Sequence, residues 1–230
     1  MTIASGGGGP PSDRVLPRAF LSGDTLEAAR RLIGARLVRV LPRAPGATPD
    51  RSPVTISGRI VEVEAYVGPN DKASHARMGP TDRNRVMYGQ AGIAYVYLVY
   101  GLHHCVNIVT GPEGSPAAVL IRAVEPVDGI EAMRALRFPG GRGAGRGTPD
   151  RRLAAGPGMV GAAFAVDRTW TGTDLCDPLS PLRLELPLPG EPAPRIVATP
   201  RVGIEFAGLP WTEVPWRFVD ADSGSLSRAG

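Results

Sequence analysis

From Val54 to Ala65 the chain reads VTISGRIVEVEA, alternating and rich in β-branched residues, which predicts a strand. A period of two sets Ile60, Glu62, Glu64 and Tyr66 on one face and Val61, Val63 and Ala65 on the other. Two carboxylates thus stand on a face that ends at a tyrosine. Upstream, Ser22 or Asp24 can cap a helix running to about Ile33, with Leu26, Ala29 and Ile33 on one side and Gly34 as its stop. ARLVRVL then reads as a short strand, followed by a proline-rich loop over 42–53. Residues 67–92 form a loop-rich insertion long enough to suggest function. AYVYLVYG and HHCVNIVT read as a hairpin, AAVLIRAVEP as another strand, and IEAMRALR as a helix over 130–137. AAGPGMVGAAFAV starts a helix of small residues near Pro157. LRLELPL, RIVATPRVGIEF and PWRFVDAD read as further strands of the same sheet.

Residues 1–19 read as a disordered leader and 20–230 as one folded domain, since no repeat and no change of composition divides the rest. The hydrophobic fraction of 43% and charged fraction of 21% are those of a soluble globular protein. No apolar run approaches the roughly 18 residues of a membrane span. The start, MTIASGGGGPPSDR, lacks the pattern of a signal peptide, so the cytoplasm is the expected compartment. Cys105 and Cys176 are too few for a disulfide framework or a four-cysteine metal site and are expected as free thiols.

The net charge is +4, and of 26 basic residues only Lys72 is lysine. A GC-rich genome alone would favour arginine in this way. Residues 130–152 nevertheless carry six arginines against Glu131 and Asp150, in a glycine-rich stretch that suits a phosphate backbone or a solvated loop.

Aromatic residues are only 6% of the chain, yet all five tyrosines and all three histidines fall between Gly58 and Asn107. They are therefore not scattered core filler. A carboxylate among tyrosines suits a pocket that stacks a flat, electron-poor ring beside a general base, which points to a nucleobase.

The segments RIVEVEAYVGPNDKASHA, TDRNRVMYG, YVYLVYG, CVNIVTG, VLIRAVEP, AAGPG, PRVGIEF and PWRF occur in that order. Together, over roughly residues 20–228, they resemble the alkyladenine (3-methyladenine) DNA glycosylases of bacteria and animals. The resemblance implies an α+β fold, a single mixed domain around a curved, mainly antiparallel sheet with peripheral helices. It implies excision of damaged purines, the class of 3-methyladenine, 7-methylguanine, hypoxanthine and ethenoadenine, from double-stranded DNA. It further implies a monomer, soluble in the cytoplasm and nucleoid-associated if bacterial, without cofactor, metal, membrane attachment or obligate protein partner.

By the same resemblance Glu64 is the general base and Arg122 its partner in holding the attacking water. Glu62 lies on the same predicted face, and only the register of EVEAY selects Glu64. Tyr66 and Tyr97 correspond to the walls that sandwich the extruded base, and Tyr100 to the wedge that fills the gap in the duplex. His75 matches the contact to the purine edge, and Asn107 the residue that crowds the exocyclic amine of normal guanine. His103 and His104 are adjacent, so they alternate across a strand and are expected to be structural or DNA-facing. Relatives typically place a lysine after AAGPG where Met159 stands here, which leaves Arg142 and Arg146 of the Gly/Arg loop to supply charge to the DNA backbone. With Lys72 as the only lysine, an enzyme without lyase activity is expected. Two other readings of the same residues are a noncatalytic sensor of damaged bases and a metal hydrolase using His75, His103, Asp71 and Glu64.

Overall fold

A computed structural model describes residues 13–42, 53–141 and 147–227. It forms one α+β domain with three α-helices and an eight-stranded, wholly antiparallel sheet. The strands are β1 (Arg36–Val40), β2 (Thr55–Val67), β3 (Ala94–Val99), β4 (His103–Val109), β5 (Ala117–Asp128), β6 (Leu182–Glu185), β7 (Ile196–Thr199) and β8 (Arg217–Asp220). The helices are α1 (Thr25–Leu32), α2 (Ile130–Arg137) and α3 (Pro157–Ala163). The main path runs β3-β4-β5-β2-β1-β6, with β8 paired to β2 and β7 to β8.

The long strand β2 organises the molecule. One edge pairs with β5, while the other is shared, with Thr55–Arg59 against β1 and Glu62–Glu64 against β8. Where the neighbour changes, the pairing with β5 is irregular. Ile60 lies opposite Val124 and Val63 opposite Ile121, so two residues intervene on each strand at this level. That odd step reverses the alternation. Ile60 joins Val63 and Ala65 in the core, rather than sharing a face with Glu62 and Glu64 as a strict period of two predicts. A bulge of this kind re-aims side chains, and here it separates the core from the charged residues of β2 and β5.

The main core lies on the face covered by helices, where Leu37, Ile56, Ile121 and Phe218 meet α1 and α3. Asp24 caps α1 by accepting from the Glu27 amide at 2.8 Å, a contribution of about 1 kcal/mol. Its buried stripe is Thr25, Ala28, Ala29 and Leu32; of the predicted face Ala29 and Ile33 are buried and Leu26 is not. This i, i+3, i+4, i+7 set turns the smaller residues to the sheet and leaves Leu26 half-buried. Helix α3 lies against β4 through glycines. A Cβ on Gly158 would stand 2.8 Å from that of His103, and one on Gly161 would overlap the His104 carbonyl.

Two further expectations change. Val15 and Leu16 belong to the fold and not to a leader running to residue 19, because Leu16 is buried and Val15 bridges Glu185. RIVATPRVGIEF is a strand only over Ile196–Thr199, since Pro200 interrupts the ladder and the rest crosses the second face of the sheet as a loop. That loop and the 68–93 insertion bury two smaller clusters, around Tyr95 and Met87 and around Ala73 and Ile204. Most of loop 42–53 lies outside the described residues.

Candidate active site

Beyond the bulge, β2 and β5 bring Glu62, Glu64 and Arg122 together, with both carboxylates fully buried and the arginine 7% exposed. Their bonding differs. Glu62 Oε1 accepts from Arg122 Nε at 2.9 Å, Arg217 Nε at 2.8 Å and the Ser227 hydroxyl at 2.7 Å, while Oε2 accepts from the Ser227 amide at 2.6 Å. Glu64 Oε1 accepts from the Val202 amide at 2.7 Å and pairs with Arg122 Nη1 at 3.2 Å. Its Oε2 has a single donor among the described residues, the Tyr66 hydroxyl at 2.9 Å. A carboxylate oxygen can accept twice, so Oε2 of Glu64 keeps a lone pair for another donor. Burial works against the charged Arg122, but Glu64 and Glu62 outweigh it and raise its pKa.

Above this group lies a cavity of about 270 Å³, lined by Tyr66, His75, Tyr97, Tyr100 and Asn107 among others. Five of the seven principal predicted site residues therefore share one cavity wall, and Glu64 and Arg122 lie beneath it. Tyr66 and Asn107 are placed by register, since Tyr66 pairs with Ala118 on β5, and Glu64, Leu120, Asn107 and Tyr95 form one row across four strands. Burial raises the Tyr66 pKa far above its ordinary value, helped by the Glu64 charge, so the phenol stays a donor. Behind the Tyr66 ring stands Arg201, 4.8 Å from it and 5.0 Å from the Trp216 ring. Burial, then Cys105, likewise raises the pKa of Tyr97.

His75 enters from the insertion on a short 3-10 turn, its ring edge-on to Tyr97 with centroids 4.4 Å apart. Its Nδ1 lies 3.0 Å from the Tyr95 hydroxyl. Part of the residue is exposed, but the ring is packed among Tyr95, Tyr97 and the charges of the insertion. Desolvation, then Arg83 and Arg77, lowers its pKa from 6.5 to about 4. The imidazole is thus neutral at physiological pH and able to bond without carrying charge. Since the unfolded ring takes its proton at the higher pH, this packing contributes fully above 6.5 and is drained as pH falls toward 4. An NMR titration of the ring should give a midpoint well below that of a free histidine, and a midpoint at or above about 6 would contradict this packing.

Asn107 is buried, and its Nδ2 donates to the carbonyls of Tyr95 at 3.0 Å and Cys105 at 3.2 Å. Those bonds fix the amide orientation and leave Oδ1 as the end free for a ligand donor. Tyr100 is 91% exposed at the β3–β4 tip, in the left-handed region at φ 52°, followed by Gly101 at 70°. Left-handed backbone is uncommon for a tyrosine, and such strain persists where the surroundings demand it.

His103 meets α3 with its side chain at Gly158, and His104 meets it chiefly with its backbone carbonyl at Gly161. Asp71 and Glu64, which a metal reading requires, are committed to Arg201 and Arg122, and the described residues hold no cluster of three metal-ligating side chains. Arg142 and Arg146 lie outside the described residues. Several site residues were not predicted. Val202 and Arg201 come from the loop read as strand, and Tyr95 and Arg83 flank His75 and Tyr97. Ser227 is a tail residue with no sequence signal. The intact PRVGIEF segment was the one available sign of Val202 and Arg201.

A tyrosine-walled cavity over a buried, arginine-paired carboxylate is what the resemblance to DNA glycosylases leads one to expect. The family model of methylpurine-DNA glycosylases (MPG) matches residues 19–224, and the chain belongs to that family. It is 46% identical over 215 residues to a protein of Methanocella arvoryzae provisionally named 3-methyladenine DNA glycosylase, covering 93% of this chain and 96% of that one. Proteins with the same provisional name from Anaeromyxobacter dehalogenans and Bacillus cereus are 43% and 40% identical. These cover 93% and 88% of this chain and 86% and 93% of theirs. No helix among the described residues is long and apolar enough to cross a membrane.

Proposed function

We propose that the protein hydrolyses the N-glycosidic bond of damaged purines in duplex DNA and leaves an abasic site. The observation that carries this reading is the tyrosine-lined cavity above Glu64, whose Oε2 keeps one lone pair unused. The target nucleotide leaves the stack at a cost of a few kcal/mol, and Tyr100 fills the gap. Tyr66 and Tyr97 stack on the extruded base, each contact worth about 1–3 kcal/mol and favouring rings with positive charge. Neutral His75 bonds to the purine edge, and Asn107 rejects normal guanine by steric crowding of its exocyclic amine, since its free Oδ1 would otherwise accept from that amine.

In the chemical step Glu64 takes a proton from a water lodged between it and the sugar, and the water oxygen bonds to C1′. The bond to the purine nitrogen breaks, and its electron pair leaves with the base. Arg122 holds the Glu64 carboxylate in place at 3.2 Å, and until the proton is taken its negative charge stabilises the positive charge growing on the sugar. A Schiff base would require an amine, and Lys72 is the only lysine in the chain.

The test is single-turnover base release, in EDTA, from duplexes carrying hypoxanthine or ethenoadenine and from methylated DNA, with a borohydride trap alongside. Release without a trapped protein–DNA adduct is expected. Tight lesion binding without release would replace this reading with a noncatalytic sensor, and a trapped adduct would remove the hydrolytic mechanism.

A further inference from the structure

Residues 225–227 are packed against the sheet. Arg152 Nη1 donates to the Leu226 carbonyl at 2.8 Å, Ser225 is fully buried, and Ser227 is 9% exposed. Ser227 is bonded as a bridge. Its amide and hydroxyl both donate to Glu62, at 2.6 and 2.7 Å, and its hydroxyl oxygen accepts from Arg122 Nη2 at 3.2 Å. Each nitrogen of the Arg122 guanidinium thereby has its own partner, Nε on Glu62, Nη2 on Ser227 and Nη1 on Glu64.

We propose that Glu62 and Ser227 are positioning residues that fix the Arg122 guanidinium so that Nη1 is presented to Glu64. A planar guanidinium held at two of its corners has little freedom at the third, so the pairing with Glu64 is set before substrate arrives. Packing alone does not call for this arrangement. A buried charged group costs several kcal/mol to desolvate, and an apolar set of similar volume would fill the space at less cost. Among the described residues, the donors to Glu62 are Arg122, Arg217 and Ser227, and none belongs to the cavity wall. The contact of Glu62 with the Glu64 side chain runs through Arg122.

The inference rests on the hydrolytic function proposed above, and its test separates the two. In the full chain, Ser227→Ala is expected to lower the single-turnover excision rate by about tenfold, with lesion-duplex affinity within about twofold of wild type. The melting temperature should move by no more than a few degrees. Ser227→Thr, which keeps the hydroxyl, should recover most of the rate. Wild-type excision by Ser227→Ala would overturn the proposal. So would a rate for Ser227→Thr as low as that of Ser227→Ala, or a loss shared equally by rate, affinity and melting temperature.

A second measurement needs no catalysis. The Arg122 Nε–H resonance, assigned by its loss in Arg122→Lys, should exchange with solvent at least about tenfold faster in Ser227→Ala than in wild type. Unchanged exchange would overturn the positioning role whatever the activity. Faster exchange in a protein whose wild type releases no base would leave the positioning intact and remove the hydrolytic function instead.

Discussion

Glu64→Gln should reduce single-turnover excision by about a thousandfold or more while leaving lesion-duplex affinity within a few fold, because it removes the base and the charge but not the shape. The amide can be seated without disturbing the fold. Oε1 must remain an acceptor for the Val202 amide and face Arg122, so the new NH₂ falls at Oε2, where the Tyr66 hydroxyl can turn to accept from it. The cavity walls keep their places, and stacking on Tyr66 and Tyr97 is retained. Residual excision above about a tenth of wild type would show that proton removal by Glu64 is not what limits the reaction.

The largest loss of stability is expected from Asp71→Ala. Asp71 and Arg201 are an ion pair with no exposed side-chain surface, bonded at 2.6 and 2.9 Å. Asp71 also accepts from the amides of Val67 and Ala73, and Arg201 donates to the Ala65 carbonyl. Truncating one partner strands a buried guanidinium between two aromatic rings, at a cost of about 3–5 kcal/mol. Chemical denaturation should show the midpoint falling by the corresponding amount. The double replacement Asp71→Leu with Arg201→Met should be less damaging than Asp71→Ala alone, since it strands no charge. A loss below about 1 kcal/mol for Asp71→Ala would mean that solvent reaches the pair.

How much of this was legible follows from what each signal encodes. Local signals read well. Asp24 before an apolar-periodic run and Gly34 after it marked α1, and the alternation in VTISGRIVEVEA marked β2. The residues of the cavity wall were legible through their family motifs, because those motifs are short and contiguous. The bulge was not, since nothing in Ile60–Val61–Glu62 distinguishes an odd step from regular alternation; it is imposed by the change of partner from β1 to β8. The loop after Pro200 carried the alternation of a strand, but the proline ends the ladder with β8 at Thr199 and the chain covers the second face instead. Contacts spanning most of the chain, such as Ser227 with Glu62 or Arg201 with Asp71, arise only once the sheet brings distant residues together.

The mounting of Tyr100 has a mechanical consequence. Its hairpin is braced on both sides: β4 by α3, through the close contacts at Gly158 and Gly161, and β3 by Thr171, whose hydroxyl exchanges hydrogen bonds with the Val96 backbone at 3.1 and 3.0 Å. A tool driven between stacked plates is effective only when its handle is stiffer than the stack. A compliant hairpin would bend back and return the work of insertion as its own deflection. Held at Val96 on one strand and at His103 and His104 on the other, and already strained at the tip, this hairpin is a short stiff lever, and on the function proposed above the yielding would fall to the DNA.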